Sequence, residues 1–558
     1  MKPYKINGFT IYKGNAAAEP IYRKELSQIL LNELGKGPYS DHEIARKAVT
    51  KAYNYYCDKF IELCHSETSV RFYQFVLSQH EQAVEVALFA ERNEYPVGID
   101  KEYVAVYRRV LKWILEQACD IKLLNQENTD DAFLKRTLGK LNELWFLGDM
   151  IFSCAYYYAE QDMIEDVMEV VFDSSDQYVF QHKHHYDFVV DQIQQSYGAH
   201  SIKHVVDEKA VPDLKADLEK CFGIKYEYCT SVIAAIHKAN ESRGGQYVGF
   251  GWESLPLSAE AMFGANPDQA RIFFKGLTLS KTNKLNLHEL ACKPNSMFRY
   301  MYRPITIWNI EGEDFAVVGK KAFSEAIIQL STNCIPWGKA PDEWMVNACF
   351  KNYVHSKEDE HDTWLDDEVE SRLKAEGLKY HRNITSIKGQ NVNINLLQNG
   401  VGEIDFIIVN HAQKMVHVVD SKHLQGRYDM MTQKNDFSNF TKIKGYNEQI
   451  KRKLDFVTLH LPEIDHHNKA VFGAGEPSIV SYKTDGFFII NTPTFYMFNS
   501  DYRIYTVDVF IDLIAKKLKD PIFDVVVENS GKAVSLQITY PYFKKPSYKL
   551  ADYLNSES

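Results

Sequence analysis

Apolar residues recur at helical spacing through much of the first 245 positions. The segment RFYQFVLSQHEQAVEVALFAER carries one such stripe, made of Phe72, Phe75, Val76, Ala83, Val86, Ala87 and Ala90. The segments VYRRVLKWILEQA and MIEDVMEVVF repeat the pattern with Val110, Trp113, Ile114, Ile164, Val167 and Val171. Stripes of this kind are the core-facing sides of amphipathic helices. We therefore predict that residues 1–245 form a mainly α-helical region.

The pattern changes between residues 246 and 355. Short apolar runs there are broken by Gly, Pro and Asn, as in RYMYRPITIWNIEGEDFAVVG. Such runs are compatible with both strands and short helices. This segment is therefore predicted to be a connecting region of mixed α+β structure.

An acidic segment, HSKEDEHDTWLDDEVE at 355–370, indicates a domain boundary. Eight of its sixteen residues are acidic, which is typical of a solvated linker that leads into a helix. The helix is predicted to begin at Thr363, with Asp366 three residues later as in a capping box. Gly377 is predicted to end it.

The residues after this helix alternate between strand-like and helical patterns. Strands are predicted at about 379–385, at 391–397, in GEIDFIIVN and in VHVVDSKHL. A polar, partly basic segment leads to a helix in GYNEQIKRKLDFVTLHL, followed by strands in GFFIINTPTFYMF and YRIYTV and a helix in VDVFIDLIAKKLK. The tail is predicted to form a hairpin turned at Asn529, Ser530 and Gly531. Residues 356–558 are thus predicted to form an α/β layered domain.

Composition limits the functional classes. The 558 residues carry a net charge of −11, whereas proteins that coat nucleic acid are usually basic, so any site for a polyanion must be a local patch. Nine cysteines without a CxxC pair predict reduced thiols in a cytoplasmic protein. Because no run of ~18 apolar residues is present, we expect no membrane partner.

Charged residues cluster at the ends of two predicted neighbouring strands. Residues two apart on a strand share a face, so Glu403 points with Asp405 and Asp420 points with Lys422, whereas Ser421 points the other way. If the strands are antiparallel neighbours, Asp405 and Asp420 approach each other. Two converging carboxylates repel one another unless a cation neutralises them, and Mg²⁺ prefers such oxygen ligands. Taken singly, each charge could simply mark a strand end; together they suffice for metal-assisted phosphodiester hydrolysis.

A helix with an acidic residue, a strand with GEID and a strand that ends in acid-x-Lys together resemble the PD-(D/E)XK, or restriction endonuclease-like, nuclease superfamily. The resemblance covers residues 360–515 and implies a mixed sheet flanked by helices. It implies that Asp405 is the central metal ligand, Asp420 the second and Lys422 the catalytic lysine. The main-chain carbonyl of Ser421 would complete the shell around Mg²⁺, for which Mn²⁺ could substitute.

The helical acid of the family is assigned here by its spacing. Counting back eleven positions from Gly377 gives Asp366, where many family members have Glu. Glu370 lies one turn further along the same face and could serve as the outer acid instead. A cap is an adequate structural explanation for Asp366 alone. The last motif reads DSK rather than the commoner ExK, which shortens the reach of that ligand.

Basic residues cluster between positions 434 and 453, after the DSK motif. They are Lys434, Lys442, Lys444, Lys451, Arg452 and Lys453, against only Asp436 and Glu448. Five residues are predicted to contact nucleic acid: the basic residues Lys442, Lys444, Lys451 and Arg452 and the polar residue Gln449. For residues 451–453 a solvated helix face is an equally good interpretation.

The prediction from sequence is a Mg²⁺-dependent DNA endonuclease, with a prokaryotic defence or restriction role implied by family analogy alone. The N-terminal region would act as a sensor or recruit a partner. A homodimer and a separate NTPase or sensor protein are the further partners considered. The alternatives are a non-catalytic module of the same fold that binds nucleic acid or protein, and an RNA endonuclease.

Overall fold

The fold is given by a computed structural model that describes residues 1–90, 99–125, 131–163, 167–182, 209–242, 250–390, 392–425, 430–515, 522–529 and 532–539. The chain divides into two units. Unit 1 comprises Met1–Tyr158, Val170–Phe180 and Val205–Glu358, and unit 2 comprises Ala159–Glu169, Gln181–His204 and Asp359–Ser558. The structure belongs to the mixed α/β class.

Helices are numbered in chain order. They are α1 (Glu19–Leu34), α2 (His42–His65), α3 (Val70–Ala90), α4 (Lys101–Ala118), α5 (Asp131–Met163), α6 (Ala210–Phe222), α7 (Tyr226–Ser242), α8 (Ser254–Phe263), α9 (Pro267–Gly276), α10 (Leu287–Leu290), α11 (Lys320–Asn333), α12 (Asp342–Met345), α13 (Ala348–Ala375), α14 (Met430–Thr441), α15 (Tyr446–Leu459), α16 (Leu461–Phe472) and α17 (Val507–Ile514). Short 3₁₀ turns occupy Ala16–Ala18, Ile335–Trp337 and Phe495–Asn499.

The strands follow the same convention. They are β1 (Lys2–Ile6), β2 (Phe9–Lys13), β3 (Lys122–Leu123), β4 (Met168–Phe172), β5 (Tyr178–His182), β6 (Thr278–Leu279), β7 (Ile305–Ile310), β8 (Glu313–Val318), β9 (Lys379–Ile384), β10 (Ser386–Lys388), β11 (Asn393–Asn395), β12 (Ile404–Asn410), β13 (Met415–Lys422), β14 (Lys483–Ile490), β15 (Arg503–Thr506), β16 (Ile522–Asn529) and β17 (Lys532–Thr539).

Two of the predicted amphipathic helices of the N-terminal region are present. In α3, Phe72, Val76 and Val86 of the predicted stripe are fully buried. In α4 the same is true of Trp113 and Ile114, and α3 packs against α4. The apolar period therefore located both helices and the faces that they bury.

The helix predicted for MIEDVMEVVF is wrong. Helix α5 ends at Met163, and Met168–Phe172 form strand β4; Ile164 lies outside the described residues. Within β4, Met168 and Val170 are buried and Glu169 between them is not, which is the alternation of a strand. The β-branched pair Val170 and Val171 also favours a strand over a helix.

The chain begins with a hairpin that the helical prediction for residues 1–245 did not include. Strands β1 and β2 pair antiparallel around Asn7 and Gly8. Both residues have positive φ, at 49° and 85°. An Asn-Gly pair adopts this left-handed geometry more readily than other residue pairs, so NG between alternating apolar residues was the missed signal.

The region from 246 to 355 contains both helices and strands, as predicted. Its described part includes α8 to α12 and strands β6, β7 and β8. Strand β7 pairs in parallel with β6 and with β3 of the N-terminal region, and antiparallel with β8. A buried apolar cluster links these elements to α6 and α7 through large side chains such as Phe222, Phe273 and Trp344.

Unit 2 is built on a five-stranded sheet in the order β15-β14-β13-β12-β9. Strands β9, β12 and β13 are mutually antiparallel neighbours, whereas β13, β14 and β15 are parallel. One face of the sheet packs against α13 and α17 in a cluster that includes Leu365, Phe406, Val419 and Phe510. Helix α15 packs against β13 and β14. The sheet is thus packed against helices that precede its strands (α13), lie between them (α15) and follow them (α17).

Helix α13 starts well before the predicted position. It runs through the acidic segment from Ala348, so this segment is not a linker, and Thr363 lies in the helix interior. The Thr363 hydroxyl donates to the carbonyl of Asp359 at 2.9 Å and does not cap a helix. Gly377 ends the helix as predicted, with φ of +67°. Of the eight acidic residues of the segment, four are exposed and four are half-buried, so the charged composition that suggested a linker belongs to a helix that is partly solvated.

The other predicted elements of unit 2 agree with the structure in kind. Strands β9, β11, β12, β13, β14 and β15 and helices α15 and α17 lie within or close to the predicted segments. Strands β16 and β17 pair antiparallel, as the predicted hairpin requires; Ser530 and Gly531 of its turn lie outside the described residues. Helices α14 and α16 were not predicted.

Two expectations from composition can be compared with the structure. Cys221 and Cys349 form a disulfide, with Cα atoms 5.5 Å apart, so the expectation of nine reduced thiols is wrong for these two residues. The other seven cysteines are free. Among the described residues, no helix is both long and apolar enough to cross a membrane.

Three buried histidines are expected to make the protein less stable in acid. Burial lowers the pKa of His417 and His381 to about 4 and that of His80 to about 3. The unfolded chain, in which the pKa is near 6.5, takes up protons below that pH while the folded chain does not. Stability is therefore full above pH 6.5 and is lost as the pH falls.

His417→Leu provides the test, because neither ring nitrogen of His417 has a hydrogen-bond partner in the structure. Between pH 7.5 and 5.0 the variant should lose about 2 kcal/mol less unfolding free energy than the wild type, measured by urea denaturation. The exposed His466, changed to Gln, is the matched control and should follow the wild type. Parallel pH dependences for His417→Leu and wild type would contradict the prediction.

Candidate active site

The two carboxylates singled out in the sequence lie side by side on neighbouring strands. The β12–β13 register pairs Phe406 with Val419, so the next positions outward are Asp405 and Asp420. Because Phe406 and Val419 face α13, the alternation of the strands turns both aspartates to the opposite face. The strand pairing on which the sequence argument depended is therefore present.

A second lysine, from outside the motif, joins these carboxylates. The Lys453 ammonium lies 2.5 Å from Asp420 Oδ1 and 3.4 Å from Asp405 Oδ1. Lys422 Nζ lies 2.9 Å from Asp420 Oδ2. The backbone N–H of Ser421 donates to Asp405 Oδ2 at 2.7 Å. Two carboxylates and two ammonium groups thus form one group at this end of the sheet.

Helix α15 places Lys453 there because of the face it buries. Ile450, Lys453 and Val457 are its buried residues, at spacings of three and four, whereas Lys451 and Arg452 are exposed. The interpretation of residues 451–453 as a solvated face is therefore wrong for Lys453. A lysine between two apolar residues at helical spacing was the available signal.

The surroundings push the two aspartate pKa values apart. Burial and the negative charge of Asp420 raise the pKa of Asp405 to about 8. Burial alone would also raise the pKa of Asp420, but the ammonium groups of Lys422 and Lys453 outweigh it and hold this pKa at about 2. Asp420 is thus the carboxylate that the lysines keep ionised, and Asp405 is the one that needs further positive charge.

Lys422 is held from two sides. Its ammonium contacts Asp420 and lies 4.7 Å from the centre of the Tyr446 ring. Burial lowers the pKa of Lys422, but the charges of Asp420 and Asp405 outweigh it, so the pKa is raised. The side chain is therefore a fixed, charged group.

The two alternatives for the helical acid occupy different surroundings. The Glu370 carboxylate accepts hydrogen bonds from Tyr380 at 2.7 Å and Arg382 at 2.6 Å, and the bond from Tyr380 contributes most to lowering its pKa to about 2. Burial raises the pKa of Asp366. Asp366 Oδ1 is buried without a hydrogen-bond partner in the structure. Asp366, not Glu370, therefore has oxygen available beside the DSK motif.

Asp366 nevertheless lies on the α13 face of the sheet, with the Ser421 side chain, whereas Asp405 and Asp420 point to the α15 face. The structure thus brings Asp405, Asp420 and Lys422 together directly. Asp366 lies near the same end of strand β13, but on the opposite face of the sheet.

The residues predicted to contact nucleic acid lie around the start of α15. Lys442, Lys444, Lys451 and Arg452 are exposed, and Gln449 is half-buried. None of these five is among the recorded partners of the two aspartates. Exposed basic side chains are able to contact phosphates.

The carboxylate oxygens of Asp405 and Asp420 are potential ligands for a divalent cation. No group of three or more His, Cys, Asp or Glu side chains that could hold a metal is found in the part of the chain that the structure describes. Asp405 and Asp420 still supply two oxygen ligands, which is the number that Mg²⁺ commonly takes from a protein. The raised pKa of Asp405 also favours an added positive charge. The chemistry of the donors therefore fits Mg²⁺, completed by water and substrate.

Comparison of this chain with protein-family models, with curated proteins and with solved structures yields no match.

The different surroundings of Glu370 and Asp366 can be tested by stability. Glu370→Gln should cost about 1 kcal/mol of unfolding free energy, because charged hydrogen bonds to Tyr380 and Arg382 are lost at a partly exposed site. Asp366→Asn should leave stability unchanged or slightly higher, because its raised pKa shows that burial disfavours the ionised form. Urea denaturation at pH 7.5 measures both. A larger loss for Asp366→Asn than for Glu370→Gln would contradict these assignments.

Proposed function

We propose that unit 2 is a Mg²⁺-dependent nuclease domain of the PD-(D/E)XK type that hydrolyses phosphodiester bonds in DNA. The observation that carries the proposal is the convergence of Asp405, Asp420 and Lys422 at one end of two adjacent antiparallel strands. Two carboxylates with a charged lysine beside them are suited to a metal-assisted attack on a phosphodiester.

The order of elements supports the restriction endonuclease-like fold. Helix α13 with Asp366 is followed by the antiparallel strands β9, β12 and β13, then by α15 and the parallel strand β14. This is the succession of acidic helix, GEID strand, DSK strand and later helix on which the resemblance depends. The chemical groups therefore occur on the elements where that fold would carry them.

Asp405, Asp420 and the main-chain carbonyl of Ser421 would hold Mg²⁺ or Mn²⁺, with Asp366 as the outer acid through a water molecule. When bound, the cation would lower the pKa of a water nucleophile and polarise the phosphoryl oxygens. Burial and the Asp420 charge raise the pKa of Asp405, and a bound cation would favour its ionised form. The protein's own part is to hold these oxygens in place.

Lys422 would stabilise the negative charge that develops on the phosphoryl group. Its ammonium is fixed by Asp420 and by the Tyr446 ring, so little reorganisation is needed during the reaction. In the free protein the side chain is held as an ammonium, which is the form that stabilises negative charge.

Nucleic acid would bind along the exposed basic residues near the start of α15. The five residues proposed for this contact are Lys442, Lys444, Gln449, Lys451 and Arg452. Such contacts position the sugar–phosphate backbone without reading its sequence. A local patch of this kind is compatible with the overall net charge of −11.

The setting of the activity is also a proposal. We place the protein in the cytoplasm of a prokaryote, where unit 1 senses a signal or recruits a partner for antiviral defence or restriction. That partner could be a second copy of the chain or a separate NTPase.

A non-catalytic binding module is the second candidate. It is favoured by one observation, that Lys453 and Lys422 already neutralise the carboxylates. Such a module would bind nucleic acid or protein through the same surface without a metal.

The catalytic assignment is tested by plasmid cleavage in Mg²⁺ and in Mn²⁺, with a matched RNA as the competing substrate. Asp405→Ala and Lys422→Ala should each lower the cleavage rate by about 100-fold or more, because each removes a group that acts on the developing charge. Both variants should keep the circular dichroism spectrum of the wild type. Lys483→Ala, an exposed lysine at the opposite end of the sheet, is the control and should cleave normally.

Undiminished cleavage by both variants would reject the assignment. Cleavage of the RNA but not of the plasmid would replace the proposed DNA endonuclease with an RNA endonuclease.

A further inference from the structure

Lys453 is a buried lysine that bridges the two carboxylates of the candidate active site. Its side chain is 8% exposed, and its ammonium contacts both Asp405 and Asp420. The helix that carries it lies very close to the sheet. A Cβ added to Gly486 on β14 would come within 3.3 Å of Leu454 and 3.4 Å of Ile450. This close packing of α15 against β14 fixes the distance between the Lys453 backbone and the two carboxylates.

The position of this ammonium conflicts with cation binding. Asp420 Oδ1 and Asp405 Oδ1, the two oxygens nearest Lys453 Nζ, are also oxygens that a divalent cation would use. Like charges repel strongly at such distances in a partly buried site. A cation can therefore bind here only if the ammonium withdraws from these oxygens or if negative charge is added nearby.

The charge balance gives the same result. Asp405 and Asp420 contribute two negative charges and Lys422 and Lys453 two positive charges when all four are ionised, so the group is then neutral; it is positive when Asp405 is protonated. A divalent cation would leave it with an excess of at least two positive charges. A phosphodiester brings the negative charge that offsets part of this excess and offers the ammonium another partner.

We infer that Lys453 couples cation binding to nucleic-acid binding, so that the divalent cation binds tightly only together with the phosphodiester. The inference rests on the proposed function and adds its regulation. Lys453 acts as a positioning residue: it holds Asp405 and Asp420 together in the free protein and passes to the phosphate when substrate arrives. By thermodynamic linkage, cation and nucleic acid must raise each other's affinity by the same factor.

The test uses the full chain, MnCl₂ and a phosphorothioate DNA oligonucleotide that resists cleavage. Titration calorimetry gives the Mn²⁺ affinity with and without the oligonucleotide. The wild type should bind Mn²⁺ at least about 10-fold more tightly when the oligonucleotide is present, and should bind the oligonucleotide more tightly by the same factor when Mn²⁺ is present.

Lys453→Met removes the ammonium and keeps most of the side-chain length. Without oligonucleotide, this variant should bind Mn²⁺ at least about 10-fold more tightly than the wild type, because its carboxylates have lost a competing cation. It should also lose most of the enhancement by the oligonucleotide. Lys483→Met makes the same change at an exposed site at the far end of β14 and should behave as the wild type.

An Mn²⁺ affinity of Lys453→Met equal to or below that of the wild type, with the circular dichroism spectrum preserved, would overturn the inference. Independent binding of Mn²⁺ and oligonucleotide by the wild type would overturn it even if the variant did not fold. Neither result bears on plasmid cleavage that depends on Asp405, so the coupling and the proposed nuclease activity can fail separately.

Discussion

The candidate active site depends on the neutralisation of two like charges on adjacent strands. Asp405 and Asp420 are brought together by a register that also buries Phe406, Val419 and the other apolar residues of the sheet. If one strand shifted by one residue in this register, its side chains would exchange faces and its apolar residues would leave the cluster against α13. Packing of the core therefore enforces the convergence of the two carboxylates. The repulsion that results must be offset by Lys422, by Lys453 or by an added cation.

The charged side chains at this end of the sheet come from four different elements of unit 2. Strand β13 supplies Asp420 and Lys422, and β12 supplies Asp405. Helix α15 supplies Lys453 from one face of the sheet, and α13 supplies Asp366 from the other. The charged group is thus fixed by packed secondary structure and not by loops, as precise chemistry requires.

Much of this arrangement could be predicted from sequence because it follows from short-range periodicity. Alternation along one strand places Asp420 with Lys422, and the expected antiparallel pairing of neighbouring strands adds Asp405 to the same face. The assignment of Asp366 by its distance from Gly377 was equally local, and Gly377 does end the helix. The geometry then separated Asp366 from Glu370, which is bound to Tyr380 and Arg382.

Other features depend on contacts that a single sequence does not display. The start of α13 was misplaced because a solvated linker and an exposed helix face have the same charged composition. Lys453 was grouped with Lys451 and Arg452, since burial of one lysine among three basic residues is decided by the sheet beneath it. The Cys221–Cys349 disulfide joins positions 128 residues apart, and their spacing gave no sign of it.

The central claim is that these carboxylates form a divalent-cation site, and Mn²⁺ titration calorimetry in the presence of the phosphorothioate oligonucleotide tests it most directly. The wild type should bind Mn²⁺, and Asp420→Ala should lose that binding while retaining its fold, because Asp420 is the carboxylate kept ionised in the site. Equal Mn²⁺ binding by the two proteins, or none by either, would contradict the account and favour a non-catalytic binding module.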